Sequence, residues 1–460
     1  MQLKLKLVVM AVIFGQILSS CSSSNKANEH SGLKSKELFD VHKKVLSNGL
    51  TVLFVKNEKL PIFSYYTYYK VGGKFESPGI TGSSHLLEHM MFKGAKKYGE
   101  GQFDQLVEGN GGQNNAYTTN DLTVYYENLP KDHFEITADL EADRMMNLLL
   151  AKDSFEKERL VVLEERKMRY ENSDNGRIYL ELMKEAFKGT PYGISVIGEV
   201  SDLKNVTRDQ VQKYFKTYYN PNNAVVVIVG DLKKSDVFEQ MEKKFGHLPA
   251  NKNLEKTKTE QLAKLGFNFR SDFKKEIKLK GVSPTPLFMI AYKGLKLGER
   301  DAFSLDLLAS MLGDGASSYL SEKFVTNKNP KLLNIYAANY TLQESGIFFV
   351  GGQFLDKKMN VEKVKKEIIA SLSKSCDESL DERSLKKVLN QYLYLRFKDL
   401  DTNQGIARFL GDREVYYGDY EFYKKEMGLY ESITIDEIKN VCQKYIANKD
   451  YMMLTIWNKN

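Results

Sequence analysis

Long apolar runs are missing from this sequence. None approaches the roughly 20 residues that a membrane-spanning helix needs, which excludes a polytopic membrane protein. Cysteine is scarce, and three residues cannot build a disulfide scaffold. A strong excess of one charge is also missing, since the chain mixes 67 basic with 60 acidic residues. A dedicated nucleic-acid-binding protein usually concentrates basic residues more strongly, so we expect no nucleic-acid partner.

The residues that are present describe a globular chain of two to three domains. Of the 460 residues, 42% are hydrophobic and 28% charged, which excludes a disordered or collagen-like chain. Such a length is too great for one ordinary core. Hydrophobic periodicity predicts strands over 45–56, 61–71, 121–129 and 224–229, and helices over 82–94, 133–150 and 154–170.

The N-terminus is typical of a secretory signal. Two lysines precede an apolar stretch over residues 7–18, and a Leu-Ser-Ser-Cys sequence ends at Cys21. This ending resembles the bacterial lipobox, in which the cysteine is acylated and becomes the mature N-terminus. We therefore predict a signal peptide over 1–20 and a lipidated Cys21 with a flexible tether over 21–40. The protein would be lipid-anchored in the periplasm, at the outer membrane because serine follows the cysteine; an ordinary signal peptide with an incidental cysteine is the alternative.

The body of the chain reads as two similar halves. Residues 250–264 are rich in Lys, Asn, Thr and Gln with little apolar periodicity, and we interpret them as a linker. At an offset of about 226 residues, Lys296-Leu297-Gly298 repeats Lys70-Val71-Gly72, and the pattern restarts. The sequence therefore predicts a duplicated domain, over 41–249 and 265–460.

Cys376 and Cys442 each lie in a helix-like stretch. The sequence leaves their pairing open and favours two buried thiols.

The pentapeptide His85-Leu86-Leu87-Glu88-His89 carries the clearest chemistry. On a helix, His85 and His89 lie one turn apart on one face and can bind one metal ion, while Glu88 can reach the same side. A catalytic metal keeps one position for water, which it acidifies, and a nearby carboxylate can take the proton. A surface helix that contains two histidines by chance is the alternative, at odds of roughly one in a hundred for this spacing.

A third ligand is needed, and Glu158, Glu164 and Glu165 of the predicted helix over 154–170 are candidates. Glu158 and Glu165 are seven residues apart and share one face, whereas Glu164 points about 100° away from Glu165. One carboxylate could bind the metal while another orients a ligand. Periodicity alone does not choose among them, and a solvated charged face is the alternative.

These motifs resemble the inverzincins, in particular the pitrilysin–insulysin–mitochondrial processing peptidase family, over about residues 40–455. The resemblance implies that His85, His89 and Glu165 bind Zn²⁺, that Glu88 is the general base, and that Glu158 is a carboxylate behind the ligands. It also implies an α+β fold of two homologous domains, each a mostly antiparallel sheet packed with helices, which form a clam-shell chamber.

The segment Gly111-Gly112-Gln113-Asn114-Asn115-Ala116-Tyr117-Thr118 is similar to a family segment that forms an edge strand beside the zinc. An edge strand can pair with an extended peptide through backbone hydrogen bonds. The resemblance implies that Asn115 and Ala116 hold the substrate. A Gly- and Asn-rich turn before a strand is the alternative.

The second half departs from the zinc motif. Met311-Leu312-Gly313-Asp314-Gly315 stands at the repeat position of the pentapeptide, and Val388-Leu389-Asn390-Gln391 loosely echoes 162–165 with amides for carboxylates. We expect a non-catalytic wall of the chamber, as in the family.

Family members that work alone, and the inactive partners of catalytic subunits, carry an Arg and a Tyr in the non-catalytic half that help hold the scissile carbonyl. The corresponding region, 320–336, keeps Tyr336 but has no arginine. Since a carbonyl needs a donor as charge develops on it, we expect a second family subunit to supply the missing group in a heterodimer.

The sequence thus predicts a zinc metalloendopeptidase that hydrolyses extended or unfolded peptides with a zinc-activated water. The alternative function is a non-enzymatic peptide-binding or assembly subunit of a processing-peptidase-like complex.

Overall fold

The computed structural model describes residues 38–267, 269, 272–356 and 358–458. The predicted signal peptide, Cys21 and the predicted tether as far as residue 37 lie outside the described residues. Among the helices that are described, none combines the length and the hydropathy that crossing a bilayer requires.

The first half builds one mixed sheet. Its described strands are β1 (Val41–Val45), β2 (Thr51–Lys56), β3 (Ile62–Tyr69), β4 (Gln113–Thr118), β5 (Thr123–Pro130) and β6 (Ala224–Gly230). They lie in the order β1-β2-β6-β3-β5-β4, in which β2 and β6 are parallel and all other neighbours are antiparallel. Strand β6 occupies the middle because its run Ala-Val-Val-Val-Ile-Val-Gly is fully buried and rich in β-branched residues. Strand β4 is left at an edge of the sheet.

The second half repeats this plan with fewer strands. The described strands are β7 (Lys275–Lys280), β8 (Leu287–Lys293), β9 (Leu332–Thr341), β10 (Gly346–Phe354) and β11 (Met452–Trp457). Their order is β7-β11-β8-β10-β9, and only the β7–β11 pair is parallel. The predicted α+β fold with two sheets is confirmed.

Helices cover both sheets. In the first half they are α1 (Ser83–Met90), α2 (Gln102–Gly109), α3 (Phe134–Asn147), α4 (Lys152–Arg166), α5 (Asp174–Ala186), α6 (Val200–Asn205), α7 (Arg208–Tyr218) and α8 (Lys234–Phe245). Further along the chain come α9 (Leu254–Leu265), α10 (Arg300–Gly313), α11 (Tyr319–Phe324), α12 (Val361–Glu378), α13 (Glu382–Asp399), α14 (Asn403–Tyr417), α15 (Phe422–Glu431) and α16 (Ile435–Tyr445).

Each half packs its sheet mainly against its own helices. The first core joins the sheet to α1, α3, α7 and α8, and it includes Leu86, Val226 and Phe245. The second core joins β8 and β10 to α10, α12 and α16, and it includes Ile290 and Leu308.

The opposite face of each sheet is covered by a helix from the other half. Helix α5 places Ile178 and Leu182 against the second sheet, where they pack with Leu454 of β11. Helix α14 lies on β3 and β6 of the first sheet, with Gly411 against the ring of Tyr68. This exchange unites the halves, and residues 41–460 form one compact unit.

Two segments differ from the sequence-based interpretation. Residues 250–264, interpreted as a linker, contain helix α9, because Leu254 is buried in the first core and Gln261 donates to the Phe75 carbonyl at 3.0 Å. The strand predicted from residue 45 begins only at Thr51, since Asn48-Gly49 makes a hairpin turn in which Gly49 has a φ of +87°.

The two cysteines of helices α12 and α16, Cys376 and Cys442, are joined by a disulfide. The preference for two buried thiols was therefore wrong, because the packing of these helices was not evident from the sequence.

Candidate metal centre

Helix α1, which carries the pentapeptide, begins at a tightly held turn. Gly82 precedes the helix with a φ of +89°, and a Cβ there would lie 2.6 Å from the Ile197 carbonyl oxygen, so only glycine fits. The buried carboxylate of Glu76 accepts the backbone N–H groups of Gly82 and Ser84, each at 2.6 Å. Two of the four N–H groups that a helix leaves unpaired at its start are thereby satisfied.

The apolar residues of α1 set its orientation. Leu86, Leu87 and Met90 are buried in the first core. His85 and His89 therefore share another face, with their ring centroids 4.9 Å apart. The predicted one-turn spacing of the two imidazoles is present in the fold.

Glu165, on helix α4, faces both histidines. Its Oε2 lies 3.3 Å from His89 Nε2, and its Oε1 lies 3.7 Å from His85 Nε2. Ligands of tetrahedral zinc at 2.0–2.2 Å from the ion stand roughly 3.3–3.6 Å apart, and the separation of Oε2 from His89 falls in this range. One donor atom from each of the three residues lies within 4.8 Å of the other two, which is close enough to hold a metal ion. Among the described residues, His85, His89 and Glu165 form the one group of three or more His, Cys, Asp or Glu side chains whose donor atoms lie close enough together to hold a metal ion.

Glu158 stands behind one of the histidines. Its Oε2 lies 3.1 Å from His89 Nδ1, and its Oε1 pairs with Lys93 Nζ at 2.9 Å. A carboxylate on Nδ1 fixes the ring and leaves Nε2 as the lone-pair donor. Glu158 thus contacts His89 and Lys93 and is not one of the three residues that could hold a metal ion.

Glu88 lies beside the trio, and the Thr118 hydroxyl donates to its Oε2. Burial raises the pKa of Glu88 to about 7, although Thr118 and His89 act in the opposite direction. A carboxyl group with this pKa can both accept and return a proton near neutral pH.

The two histidines differ in their protonation. Burial lowers the pKa of His85 to about 3, so its imidazole is neutral, as a ligand must be. Burial also opposes protonation of His89, but the carboxylates of Glu158 and Glu165 outweigh it and raise the pKa to about 9. For Glu165, burial is outweighed by His89, His85 and Arg169, which lower the pKa to about 2.

Three contributing residues were missed by the sequence analysis: Glu76, Thr118 and Arg169. Arg169 Nη1 lies 2.6 Å from Glu165 Oε1, one helical turn further along. The four-residue spacing between Glu165 and Arg169 could have indicated their contact on a helix. Thr118 is the last residue of the segment 111–118, which resembles the family's edge strand. Only the fold could reveal Glu76, since its contact with α1 spans an irregular loop.

The segment 113–118 is a strand at the sheet edge, as the resemblance implied, and not a turn. The Asn115 side chain is exposed and its Oδ1 accepts the Ala116 N–H at 2.8 Å, whereas the Ala116 side chain is buried. Thr118 at the end of the strand reaches Glu88. The edge therefore runs up to the metal-binding trio.

The second half holds no comparable ligand set among the described residues. Met311 and Leu312 are buried in the second core at the end of α10, and Gly313 packs against the backbone of Ala337. Tyr336 lies on the edge strand β9, where burial raises its pKa to about 12.

Two family models match the chain. The one described as "Insulinase (Peptidase family M16)" covers residues 52–200, and the one described as "Peptidase M16 inactive domain" covers 205–392.

Individual proteins match over nearly the whole length. The zinc protease PqqE of Helicobacter pylori is 30% identical over 426 residues, which cover 90% of this chain and 91% of that protein. A probable mitochondrial-processing peptidase subunit beta of Arabidopsis thaliana is 25% identical, covering 89% of this chain and 77% of that protein. The crystal structure of a protease from Helicobacter pylori has a TM-score of 0.83 at 27% identity, over 91% of this chain and 100% of that chain. A peptidase M16 inactive domain from Pseudomonas fluorescens shares the fold, with a TM-score of 0.79 at 19% identity, over 91% of this chain and 98% of that chain.

Proposed function

The chain belongs to the M16 family of peptidases, and from this premise we propose that it is a zinc metalloendopeptidase acting on extended or unfolded peptides. One observation carries the proposal. The donor atoms of His85, His89 and Glu165 lie within 4.8 Å of one another, beside Glu88, whose carboxyl group can exchange a proton near neutral pH.

The metal would be held by His85 Nε2, His89 Nε2 and one oxygen of Glu165. When bound, zinc supplies a Lewis acid that polarises the peptide carbonyl and lowers the pKa of a water molecule. Glu158 keeps the His89 ring in its binding orientation through Nδ1. Three protein ligands leave a position open, as catalytic zinc sites require.

Glu88 moves the proton. Thr118 holds Oε2, so Oε1 is the oxygen that accepts a proton from the attacking water. The same oxygen then donates that proton to the nitrogen of the leaving amine. This cycle needs a carboxyl group whose pKa lies near the working pH, and burial raises the pKa of Glu88 to about 7.

Strand β4 would align the substrate. A peptide that adds to this edge makes main-chain hydrogen bonds that depend little on its sequence. Asn115 and Ala116 lie on this edge, three and two residues before the threonine that holds Glu88. The substrate must be extended, since a folded segment cannot pair along a strand.

Substitution of Glu88 tests the mechanism. In the chain comprising residues 22–460, Glu88→Gln should bind about one zinc per chain and lose peptide hydrolysis by at least about 100-fold, because an amide cannot exchange the proton. His89→Ala should lose both zinc and turnover. Glu164→Gln, on the exposed side of α4, is the matched control and should behave like the wild type. Undiminished turnover in Glu88→Gln would overturn the mechanism.

A non-enzymatic peptide-binding subunit is the second candidate, and the match of residues 205–392 to a model described as an inactive domain leaves it open. Metal analysis separates the two functions. A catalytic chain holds stoichiometric zinc, whereas a binding subunit has no need of it. Peptide binding without zinc would favour the second candidate.

We also propose a heterodimer with a second family subunit. The region 320–336 offers no arginine to the scissile carbonyl, and a matching relative is named as a subunit. Full peptide turnover by the purified single chain, at a monomer mass in light scattering, would remove the reason for a partner.

The proposed location is the periplasm, with Cys21 lipidated at the outer membrane. The disulfide between Cys376 and Cys442 supports an oxidising compartment, since cytosolic thiols are kept reduced. Cys21→Ala should move the protein from the membrane fraction to the soluble fraction. An unchanged distribution would contradict the anchor.

A further inference from the structure

We propose that Arg169 is a positioning residue for the metal centre. Its guanidinium group holds one carboxylate oxygen of Glu165, so that the other oxygen is presented to the ion together with the two histidines. The inference rests on the proposed function, because it concerns the same site.

The contacts of the Glu165 carboxylate divide between its two oxygens. Arg169 Nη1 lies 2.6 Å from Oε1, closer than either histidine comes to the carboxylate. Oε2 faces His89 Nε2 at 3.3 Å. A hydrogen bond between two charged groups is short and strong, so Oε1 is engaged and Oε2 is the oxygen left for a metal ion.

The backbone keeps Arg169 in place. Residues Lys167–Glu171 form a π-helical turn after α4, closed by the hydrogen bond from Asn172 N–H to the Lys167 carbonyl at 2.9 Å. Such turns are rare and occur often at functional sites. Gly176 packs against the turn so closely that a Cβ would lie 2.1 Å from the Arg169 carbonyl oxygen. The turn is thus held by direct contact with helix α5.

Arg169 affects the zinc affinity of the site in two ways, and the two effects have opposite signs. A positive charge near a cation repels it, so removal of the charge alone would strengthen zinc binding. Loss of a group that orients a ligand typically weakens metal affinity by roughly 10- to 100-fold. Weaker binding after substitution would therefore report orientation and not charge.

The test is zinc affinity, measured by competition with a chromophoric chelator on the chain comprising residues 22–460. We expect Arg169→Met to bind zinc roughly 10- to 100-fold more weakly than the wild type. Arg169→Lys should lie between the two, since lysine keeps the charge without the planar fork. Lys167→Met is the matched control in the same turn and should leave the affinity unchanged, because Lys167 is exposed and its ammonium group lies 3.8 Å from the exposed Glu164.

Thermal unfolding of the metal-free chains completes the design. Arg169→Met should unfold within a few degrees of the wild type, since the Arg169 side chain is 36% exposed and a partly exposed ion pair contributes little to stability. If that variant does not fold, Arg169→Gln replaces it with the same expectation. Zinc affinity in the Met or Gln variant equal to or tighter than the wild type would overturn the inference alone. A folded wild-type chain without zinc would overturn the proposed function and the inference with it.

Discussion

Thr118 determines how the Glu88 carboxylate is oriented beside the metal-binding trio. Its hydroxyl donates to Glu88 Oε2 from the end of the edge strand. Thr118→Val keeps the shape and the strand preference but removes the donor. A hydrogen bond to a charged group contributes about 1.5–3 kcal/mol, so kcat should fall roughly 10- to 100-fold while zinc content stays the same. Steady-state kinetics beside metal analysis measures both quantities.

Thr118→Ser is the matched control for this prediction. It retains the hydroxyl and should keep kcat within a few-fold of the wild type. Equal losses in the Ser and Val variants would mean that packing, and not the hydrogen bond, is the role of Thr118.

The buried carboxyl group of Asp306, on helix α10, should make the unfolding free energy depend on pH. Its carboxylate accepts from Asn339 at 2.8 Å and from Tyr430 at 2.7 Å, and burial raises its pKa from 3.8 to about 6. Neighbouring charges act in opposite directions, with Arg396 lowering and Glu426 raising the pKa.

Because the folded pKa of Asp306 exceeds the unfolded value, its contribution is fully present below pH 4 and is lost as the pH rises through 6. Relative to Asp306→Asn, the unfolding free energy of the wild type should fall by up to about 3 kcal/mol between pH 4 and pH 7. Denaturant unfolding at both pH values measures this difference. Parallel changes in the two proteins would contradict the prediction.

At the residue scale, the sequence could predict those side chains of the site whose spacing follows the turn of a helix. The spacing of His85 and His89 follows from one helical turn, and the shared face of Glu158 and Glu165 follows from two. Glu76 could not be found in this way, because its carboxylate reaches the start of α1 through the path of a loop.

Among the elements, α14 depends on a close approach that only glycine permits. A Cβ on Gly411 would lie 2.3 Å from the ring of Tyr68, which is fully buried on β3. Gly411→Ala should therefore force α14 away from the first sheet and lower the unfolding free energy by about 1–3 kcal/mol. Denaturant unfolding is the measurement.

Gly428→Ala is the matched control, because it changes the same residue type inside helix α15 where a Cβ meets nothing within 4 Å. Alanine is the better helix former, so this variant should gain about 0.5–1 kcal/mol. A Gly411→Ala variant as stable as the wild type would show that the contact with Tyr68 relaxes without cost.

The elements could be predicted where a single period dominates the sequence. The continuous apolar run of β6 is of this kind. Helix α9 escaped prediction because only a few of its residues, among them Leu254 and Leu262, contact the first core. The packing of α14 on the first sheet is a long-range contact, and local sequence patterns do not encode such contacts.

For the whole molecule, the exchange of α5 and α14 predicts that neither half is stable alone. Residues 41–249 lack the helix that covers β3 and β6, and residues 265–460 lack the helix that covers β8 and β11. Expressed separately, each half should be largely insoluble or partly folded, because an apolar sheet face is exposed. Co-expression should restore soluble protein, as judged by gel filtration and circular dichroism. A soluble, cooperatively unfolding 41–249 fragment would contradict this expectation.

The same exchange of helices determines when each sheet can be completely covered during synthesis of the chain. The strands of the first sheet are all synthesised once Gly230 has been added, but the helix that closes its second face ends only at Tyr417. At 5–20 residues per second, ribosomes need on the order of ten seconds or more to cover that interval. Throughout that time Tyr68 of β3, on the face that α14 covers, lacks this cover. Nascent-chain binding proteins therefore have their longest opportunity on the half that is made first, and the N-terminal half finishes folding after the C-terminal half has begun.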